Sequence, residues 1–291
     1  MLDTILDSPL SPWLQHDTDA TDHIVISSRI RLARNFDGIL FTNRNDKSSL
    51  EKVNIISRGL LQPLKEVDGH QYSNINLEQL SERERAILVE KHLMSPALEE
   101  KLPYRNLVVS DDASIVIMVN EEDHLRIQSM VSGLRLQEAY EHAQKIDKAI
   151  EAKYPYAFDE RFGYLTACPT NVGTGLRASV MLHLPALTIS GRITRLIRSI
   201  IQLGYSVRGL YGEGSEALGN IYQISNQRTM GVSEEDTIEQ LTKIVEGIIA
   251  EERKSRQSLL HNDKEGLEDV LWRSYGVLQN ARRVNGKEAL T

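Results

Sequence analysis

Two arginines near the start of the chain, Arg29 and Arg31, are spaced to bind an anion. They lie in the segment HIVISSRIRLAR (residues 23–34), which begins as a strand and becomes strongly basic. Residues two apart on a strand point to the same face of the sheet, and guanidinium groups bind oxyanions in a bidentate way. The pair therefore suits a polyphosphate; a solvated basic edge of a sheet is the alternative interpretation.

An acidic run, NEEDHLR at residues 120–126, directly follows the apolar run IVIMV. Acidic runs of this kind usually form exposed turns. A position at the end of a strand, however, lets a rigid scaffold hold a general base. A carboxylate held there can orient a guanidinium group and accept its proton.

The single cysteine, Cys168, begins the segment CPTNVGTGLR. A lone cysteine is more often a small buried apolar residue than a reactive group. Here it precedes a loop of glycines and threonines, and Arg177 at the end of that loop would favour the thiolate form. The loop lacks the GKS/T and GxGxxG spacings of the common nucleotide-binding loops.

A glycine-rich segment, RGLYGEGS at residues 208–215, carries charges of both signs. Its glycines permit a close approach of the backbone to a ligand. Glu213 can meet a cationic substrate while Arg208 meets a phosphate; a plain glycine-rich turn is the alternative.

The elements that must position these segments follow from hydrophobic periodicity and from turn and capping residues. Strands are predicted at residues 23–34, 106–120 (two strands around an Asp-Asp-Ala-Ser turn), 124–130, 163–169, 175–185, 207–213 and 219–226. Helices are predicted at residues 46–66, 77–94, 134–153, 189–203 and 234–254, with start signals at Ser81 and Ser233. The predicted fold class is α+β: a mostly antiparallel sheet flanked by helices, with a C-terminal helical segment.

The predicted domain organisation is one catalytic domain, residues 20–255, followed by a helical region, residues 256–291. The final residues KEALT lie within a helix-forming pattern. The second region is therefore expected to be incomplete.

Length and composition exclude several classes of protein. The 291 residues, 41% of them hydrophobic, suffice for one large domain. A net charge of −7 argues against a general nucleic-acid binder. With one cysteine no intrachain disulfide can form, which fits a reducing compartment. No signal peptide and no apolar run of about 20 residues is found, so we expect a soluble, cytoplasmic protein without membrane partners.

Three long segments together resemble the phosphagen (guanidino) kinase superfamily: NEEDHLR at 120–126, CPTNVGTGLRASVMLHLP at 168–185 and RGLYGEGSEALGNIYQISNQ at 208–227. Within that superfamily, SSRIRLARN and the GEGSE loop are similar to the bacterial McsB-type protein-arginine kinases. The resemblance implies a phosphagen-kinase catalytic fold, with ATP and Mg²⁺ as cofactors and no metal ligands from the protein.

The resemblance also implies roles for individual residues. Glu122 would position and deprotonate the guanidinium group, Glu213 would be the second carboxylate, and Cys168 would contact a guanidinium nitrogen. Glu121 would be a helper acting through metal-bound water. The nucleotide site would comprise Ser27, Ser28, Arg29, Ile30, Arg31, His92, Arg126, Arg177, Ala178, Ser179, Val180, Met181, Arg208, Gly209, Leu210, Tyr211, Gly212 and Glu213.

The resemblance further favours arginine in proteins as the substrate. Small-molecule phosphagen kinases carry an N-terminal helical domain before the paired arginines, and a loop of that domain closes over the substrate. In this sequence Arg29 and Arg31 lie close to the first residue, so that domain is expected to be absent. A more open site is therefore expected. The alternatives are a small-molecule guanidino kinase and a phosphoarginine-binding adaptor on an inactive kinase scaffold.

Partners are implied by the resemblance alone. They are protein substrates, among them stress-response regulators or misfolded proteins marked for degradation by a Clp ATPase. An activator protein, a stress-response repressor and a homodimer are left open. The RDxxRA motif of a C-terminal phosphoarginine sensor is absent from this sequence.

Overall fold

An eight-stranded antiparallel sheet forms the centre of the computed structural model, which describes residues 2–8, 10, 11, 14, 23–100, 102–209 and 218–290. The order of the strands is β2-β3-β4-β5-β1-β8-β10-β9. Their bounds are β1 Val25–Arg34, β2 Tyr72–Asn76, β3 Asn106–Ser110, β4 Ile115–Val119, β5 Leu125–Ser132, β8 Leu176–His183, β9 Tyr205–Gly209 and β10 Ile221–Asn226. A small second sheet pairs β6 (Phe158–Asp159) with β7 (Gly163–Tyr164).

Helices connect and flank these strands. They are α1 Leu2–Asp7, α2 Lys47–Arg58, α3 Leu61–Asp68, α4 Glu82–Glu90, α5 Leu136–Glu151, α6 Pro185–Ile189, α7 Ile193–Gln202, α8 Glu234–Asn262, α9 Lys264–Asn280 and α10 Gly286–Leu290. None of the helices in the described part of the chain is both long and apolar enough to cross a membrane. The predicted α+β class, an antiparallel sheet flanked by helices with a helical C-terminal segment, is confirmed.

The two faces of the sheet differ because side chains alternate along each strand. One face is apolar: Ile30, Leu32, Ala178 and Val180 are fully buried in a cluster that includes residues of α5 and α8. The opposite face carries a second apolar cluster, mainly at the β2–β4 side, which joins strand residues to those of α1 and α4. From β5 to β9 that opposite face carries polar and charged side chains, and the candidate site is built on it.

Local sequence signals account for where several elements begin. Ser81 accepts a hydrogen bond from the Glu84 N–H, and the Glu84 carboxylate accepts one from the Ser81 N–H, which completes a capping box at the start of α4. Ser233 accepts a hydrogen bond from the Asp236 N–H at the start of α8. The predicted turn at residues 111–114 separates β3 from β4. These predictions are confirmed.

Several predictions of element bounds are wrong. The helix predicted at residues 46–66 is two helices, α2 and α3, separated by a turn at Gly59 and Leu60, and only Glu82–Glu90 of the segment 77–94 is an α-helix. Only Gly163–Tyr164 of the segment 163–169 is a strand, because the Thr166 hydroxyl donates to the Cys168 carbonyl (2.7 Å) and a short 3-10 turn follows at Pro169–Asn171. Helix α8 runs past residue 254 to Asn262. The predicted domain boundary at residue 255 therefore falls inside a continuous helix, and the division into two domains stays a prediction.

Candidate active site

Strand pairing brings arginines from distant parts of the chain onto one polar face of the sheet. Arg31 on β1 lies directly opposite Arg177 on β8. Arg126 on β5 lies opposite Ala33, one strand away from Arg31 on the other side. Arg208 on β9 lies opposite Gln223 on β10. Because these strands are neighbours, residues separated by up to about two thirds of the chain meet within one region.

A cavity of about 370 Å³ lies over this face. It is lined by Arg29, Arg31, Arg126 and Arg208, together with His92 and Gln223. Burial, together with the charges of Arg126 and Arg177, lowers the pKa of Arg29 to about 10. Burial and the neighbouring charge of Arg29 lower the pKa of Arg31 well below its ordinary value. A polyanion in the cavity would relieve this repulsion between like charges.

Neutral side chains orient two of the arginines. Arg29 donates from Nε to Ser179 Oγ (3.3 Å) and from Nη2 to Gln223 Oε1 (2.9 Å). Arg177 Nη2 donates to the hydroxyls of Ser206 and Ser225 (3.3 Å each). Neutral acceptors hold a guanidinium group without cancelling its charge, which stays available to a phosphate.

These neutral partners were missed by the sequence analysis, apart from Ser179. Gln223, Ser206 and Ser225 lie in ordinary strand sequences, and only the register of β8, β9 and β10 puts them beside an arginine. Gln223 and Ser225 lie within the matching segment 208–227, but the resemblance gave neither of them a role.

His92 lies at the other wall of the arginine cavity, just after α4. Its backbone has a φ of 59°, in the left-handed region that non-glycine residues rarely adopt. Gln128 Nε2 donates to the His92 carbonyl (2.8 Å) and holds it there. Burial and the charge of Arg29 lower the pKa of His92 to about 4, so the imidazole is neutral at neutral pH. A smaller adjoining cavity is lined by His92 with Ser27, Ser179 and Met181.

The turn between β4 and β5 presents the two predicted carboxylates. Glu121 is nearly buried and accepts from Ser95 Oγ (2.8 Å), while its other oxygen lies 2.8 Å from Arg126 Nη2. Glu122 is exposed, and its carboxylate lies 3.2 Å from the same nitrogen. Glu121 is thus occupied in holding Arg126, whereas Glu122 can also reach a substrate.

A second cavity, of about 170 Å³, adjoins the first. It is lined by Glu122, Cys168, Arg31, Arg126 and Arg177, among others. The Cys168 Sγ lies 3.0 Å from Thr170 Oγ1 and is partly exposed. A carboxylate and a sulfur can bind a planar cation such as a guanidinium group. The three arginines of the same lining require an anion beside it, such as a phosphoryl group.

The buried carboxylate of Asp123 ties the loop of Cys168 to the turn of Glu122. It accepts from the Ala167 N–H and from Asn35 Nδ2, both at 2.6 Å. Burial raises the pKa of Asp123 despite these hydrogen bonds. Asp123 belongs to the acidic run at residues 120–126, and its carboxylate positions the loop of Cys168 against the turn of Glu122.

His124 anchors the same turn. Its Nδ1 accepts from the Phe36 N–H (3.0 Å), and its Nε2 lies 2.9 Å from the Leu40 carbonyl, an acceptor. This pair of contacts requires the neutral tautomer protonated at Nε2. Burial lowers the pKa of His124, which favours the neutral imidazole.

Some residues of the predicted nucleotide site lie elsewhere. The side chains of Ser28, Ile30, Ala178 and Val180 are buried on the opposite, helix-covered face, because they alternate with Arg29, Arg31, Arg177 and Ser179 along their strands. Ser28 instead donates to the Gly133 carbonyl (2.8 Å). Gly209 ends β9. The predicted site residues Leu210, Tyr211, Gly212 and Glu213 lie outside the described residues.

The two adjoining cavities share Arg31 and Arg126. One side is cationic and suits a polyphosphate, and the other carries a carboxylate and a sulfur and suits a guanidinium group. A phosphoryl group at the shared wall would lie between both ligands. The arrangement can therefore support phosphoryl transfer from a nucleotide to a nitrogen.

Comparison with known proteins agrees with this geometry. Residues 53–255 match the family described as ATP:guanido phosphotransferase, C-terminal catalytic domain. The chain is 47% identical to a protein-arginine kinase of Bacillus cereus (strain AH187), over 99% of this chain and 81% of that protein. It is also 47% identical to a protein-arginine kinase of Bacillus mycoides (strain KBAB4), over 100% of this chain and 81% of that protein.

Solved structures with the same fold include two phosphagen kinases. Lombricine kinase is similar with a TM-score of 0.69 and 25% identity, over 81% of this chain and 68% of that one. The duplicated taurocyamine kinase from Schistosoma mansoni, with bound components of a transition-state analogue, is similar with a TM-score of 0.72 and 29% identity. That match covers 86% of this chain and 35% of the duplicated enzyme.

Proposed function

The chain belongs to the ATP:guanido phosphotransferase family, and from this membership we propose that it transfers the γ-phosphoryl group of ATP to the guanidinium group of arginine residues in proteins. The observation that carries the proposal is the pair of adjoining cavities, one cationic and one bearing Glu122 and Cys168, that share Arg31 and Arg126. The name of the Bacillus relatives supports arginine in proteins as the acceptor.

On the nucleotide side, the arginines bind the triphosphate and stabilise the charge of the transferring group. Arg29 and Arg208 line the cationic cavity away from the shared wall, so they bind the phosphates that remain on the nucleotide. Arg31 and Arg126 line both cavities and therefore face the phosphoryl group in transit. Fixed positive charge at that position lowers the barrier because it is aligned before the reaction begins.

Mg²⁺ fits this site as an ion carried by the triphosphate. Of the three carboxylates in the β4–β5 turn, Glu121 is occupied by Ser95 and Arg126, and Asp123 by the Ala167 N–H and Asn35. Mg²⁺ usually keeps several waters and binds phosphate oxygens beside one or two carboxylates. When bound, the ion neutralises charge on the phosphates.

On the acceptor side, Glu122 orients the guanidinium group and accepts its proton. A protonated guanidinium is a poor nucleophile, because its charge is delocalised and its nitrogens carry no free lone pair. A carboxylate beside the reacting nitrogen aligns it and removes a proton as the N–P bond forms. Cys168 contacts a second nitrogen from the other side of the small cavity. The role of Glu213 as a second carboxylate rests on the resemblance, and that residue lies outside the described part of the chain.

Asp123 supports this chemistry without touching the substrate. Its two short hydrogen bonds hold the Ala167–Cys168 backbone against the turn that carries Glu122. The carboxylate and the sulfur therefore keep a fixed separation, and precise placement of this kind accounts for a large part of enzymatic rate enhancement.

The cellular partners stay predictions from the resemblance. They are an activator protein, a stress-response repressor and a Clp ATPase that degrades the phosphorylated clients. A homodimer is left open, and a cytoplasmic location stays a prediction from the composition of the sequence.

The proposal is tested by incubating the protein with ATP, Mg²⁺ and an unfolded, arginine-containing protein, followed by intact-mass analysis. We expect phosphoryl groups to be added and then lost in mild acid, since a P–N bond is acid-labile. Free arginine is assayed in parallel. Turnover of free arginine alone would favour a small-molecule guanidino kinase, and no turnover of either substrate, with phosphoarginine still bound, would favour an adaptor.

A further inference from the structure

A third cavity, of about 580 Å³, lies beyond Glu122 and is larger than either cavity of the candidate active site. One wall is the segment from Thr42 to Lys47, and the other is the loop from Leu102 to Arg105. Its floor includes Asn120, Glu121 and Glu122. Because Glu122 lines this cavity and also the guanidinium cavity, a chain whose arginine occupies the small cavity can continue into the large one.

The walls of this groove are bonded to the turn that carries the carboxylates. Asn120 Nδ2 donates to the carbonyls of Leu50 and Tyr104 (2.9 Å each), and Arg105 Nε donates to the Asn120 carbonyl (3.2 Å). The Thr42 hydroxyl donates to the Glu122 carbonyl. Groove and carboxylate are therefore one connected unit, so a ligand in the groove is held at a defined distance from Glu122.

Backbone strain is concentrated in the same place. Asn45, Tyr104 and Asn120 all line the groove and have φ values of 51°, 62° and 55°, in the left-handed region. Asparagine adopts this region readily, so the strain lies at Tyr104. For a bulky residue such as Tyr104 this conformation is costly. Strained residues of this kind are found mainly at functional sites, which favours binding over a passive role for this groove.

The lining selects a class of ligand. Leu102 is partly exposed and, with Leu50, Pro103 and Tyr104, offers apolar surface. The exposed Lys47 lies at the rim and is the first residue of α2. The carboxylates of the lining lie on the floor, where Glu121 is occupied by Ser95 and Arg126. An extended peptide with an acidic residue near its arginine matches apolar walls with a cation at the rim.

We propose that this groove binds the polypeptide on one side of the target arginine, and that Lys47 favours substrates with an acidic residue in that flank. The inference rests on the proposed function, since it concerns the same acceptor. A groove of this kind makes the site specific for arginine within a polypeptide over free arginine, because only a polypeptide can fill both cavities at once. An exposed ion pair between Lys47 and such an acidic residue raises kcat/KM for that substrate roughly two- to fivefold.

The test compares two arginine peptides that differ only in Asp or Gln at one flanking position, scanned along each side of the arginine. We expect kcat/KM with the wild type to be about two- to fivefold higher for the Asp peptide at one or two positions. Lys47→Glu should reverse that preference; a glutamate in the first turn of α2 suits the helix dipole, so the variant is expected to fold. Lys52→Glu makes the same charge change on α2 away from the groove and should keep the wild-type preference.

The outcomes separate the two proposals. If no arginine peptide or protein is phosphorylated by the wild type, the proposed function fails. The groove assignment is wrong, and the proposed function stands, if peptides are phosphorylated but kcat/KM for the Asp peptide and the Gln peptide is about equal at every position. The same conclusion follows if the ratio of these two kcat/KM values is the same in the Lys47→Glu and Lys52→Glu variants. Raising the salt concentration should reduce the wild-type ratio toward one, because an exposed ion pair is screened.

Discussion

Arg31 and Arg177 lie directly opposite each other across the antiparallel pair of β1 and β8. Like charges at opposite positions of neighbouring strands destabilise a sheet, and here burial adds to the cost, as the lowered pKa of Arg31 indicates. A bound polyanion would offset this cost, which supports the proposal that the pair forms part of a phosphate site.

Replacing Arg31 should uncouple stability from nucleotide binding. We expect Arg31→Gln to raise the unfolding free energy of the nucleotide-free protein by up to about 1 kcal/mol, because it removes the repulsion with Arg177. The same variant should lose most of the thermal stabilisation that ATP gives the wild type. Arg31→Lys, which keeps the charge, is the control and should not gain stability. Differential scanning fluorimetry with and without ATP measures both effects; equal destabilisation by both variants would contradict the argument.

The two adjacent glutamates should have separable effects. Glu122→Gln is expected to lower the rate of transfer by about 100-fold or more, the usual loss for a general base, with ATP affinity within a few-fold of the wild type. Glu121→Gln should weaken both ATP binding and transfer, because the ion pair that holds Arg126 is lost. Single-turnover rates and equilibrium ATP binding distinguish them. Wild-type turnover by Glu122→Gln would remove it from the proposed mechanism.

Cys168 can be tested selectively because the chain has one cysteine. Alkylation should inhibit transfer, since the added group would fill part of the small cavity that Cys168 shares with Glu122. ATP together with an arginine peptide should slow the alkylation. Cys168→Ala should be insensitive to the reagent and should lose more transfer activity than ATP affinity. If full alkylation left the activity intact, the sulfur would have only a structural role.

Stability should fall as the pH drops below neutral. The pKa of His92 is about 4 in the folded protein against an ordinary value of 6.5, and the pKa of His124 is also lowered. Between about pH 6.5 and pH 4 the unfolded state therefore binds protons that folded His92 does not, so the unfolding free energy decreases as the pH decreases. The raised pKa of Asp123 acts in the opposite direction, because its carboxyl binds a proton more readily when folded.

His92→Gln should accordingly show a shallower loss of stability across that pH range. Chemical denaturation at intervals from pH 7.5 to 4.5 provides the measurement. His142→Gln on α5 is the matched control for the loss of a histidine outside the arginine cavity. A His92→Gln slope equal to that of the wild type would show that this histidine does not couple folding to pH.

The sequence by itself determined the elements and the chemistry available at their ends. Alternation along β1 puts Arg29 and Arg31 on one face, the Ser81 and Ser233 signals define helix starts, and the acidic run after IVIMV becomes the turn of Glu121 and Glu122. All of these depend on interactions between residues close in the chain. Long matching segments added the family resemblance and, with it, the identity of most candidate site residues.

Only the tertiary structure decided which of those residues meet. Strand β1 pairs with β5 and β8, about a hundred and a hundred and fifty residues further along the chain. The register of those pairs, which no local pattern specifies, sets Arg31 against Arg177 and turns Ile30 and Val180 to the opposite face. The same register places Gln223 beside Arg29 and brings the loop of Cys168 to Asp123. Pairing between strands so distant in the chain is determined by burial of the whole apolar face at once, and this is why the partners of the arginines could not be found from short segments of sequence.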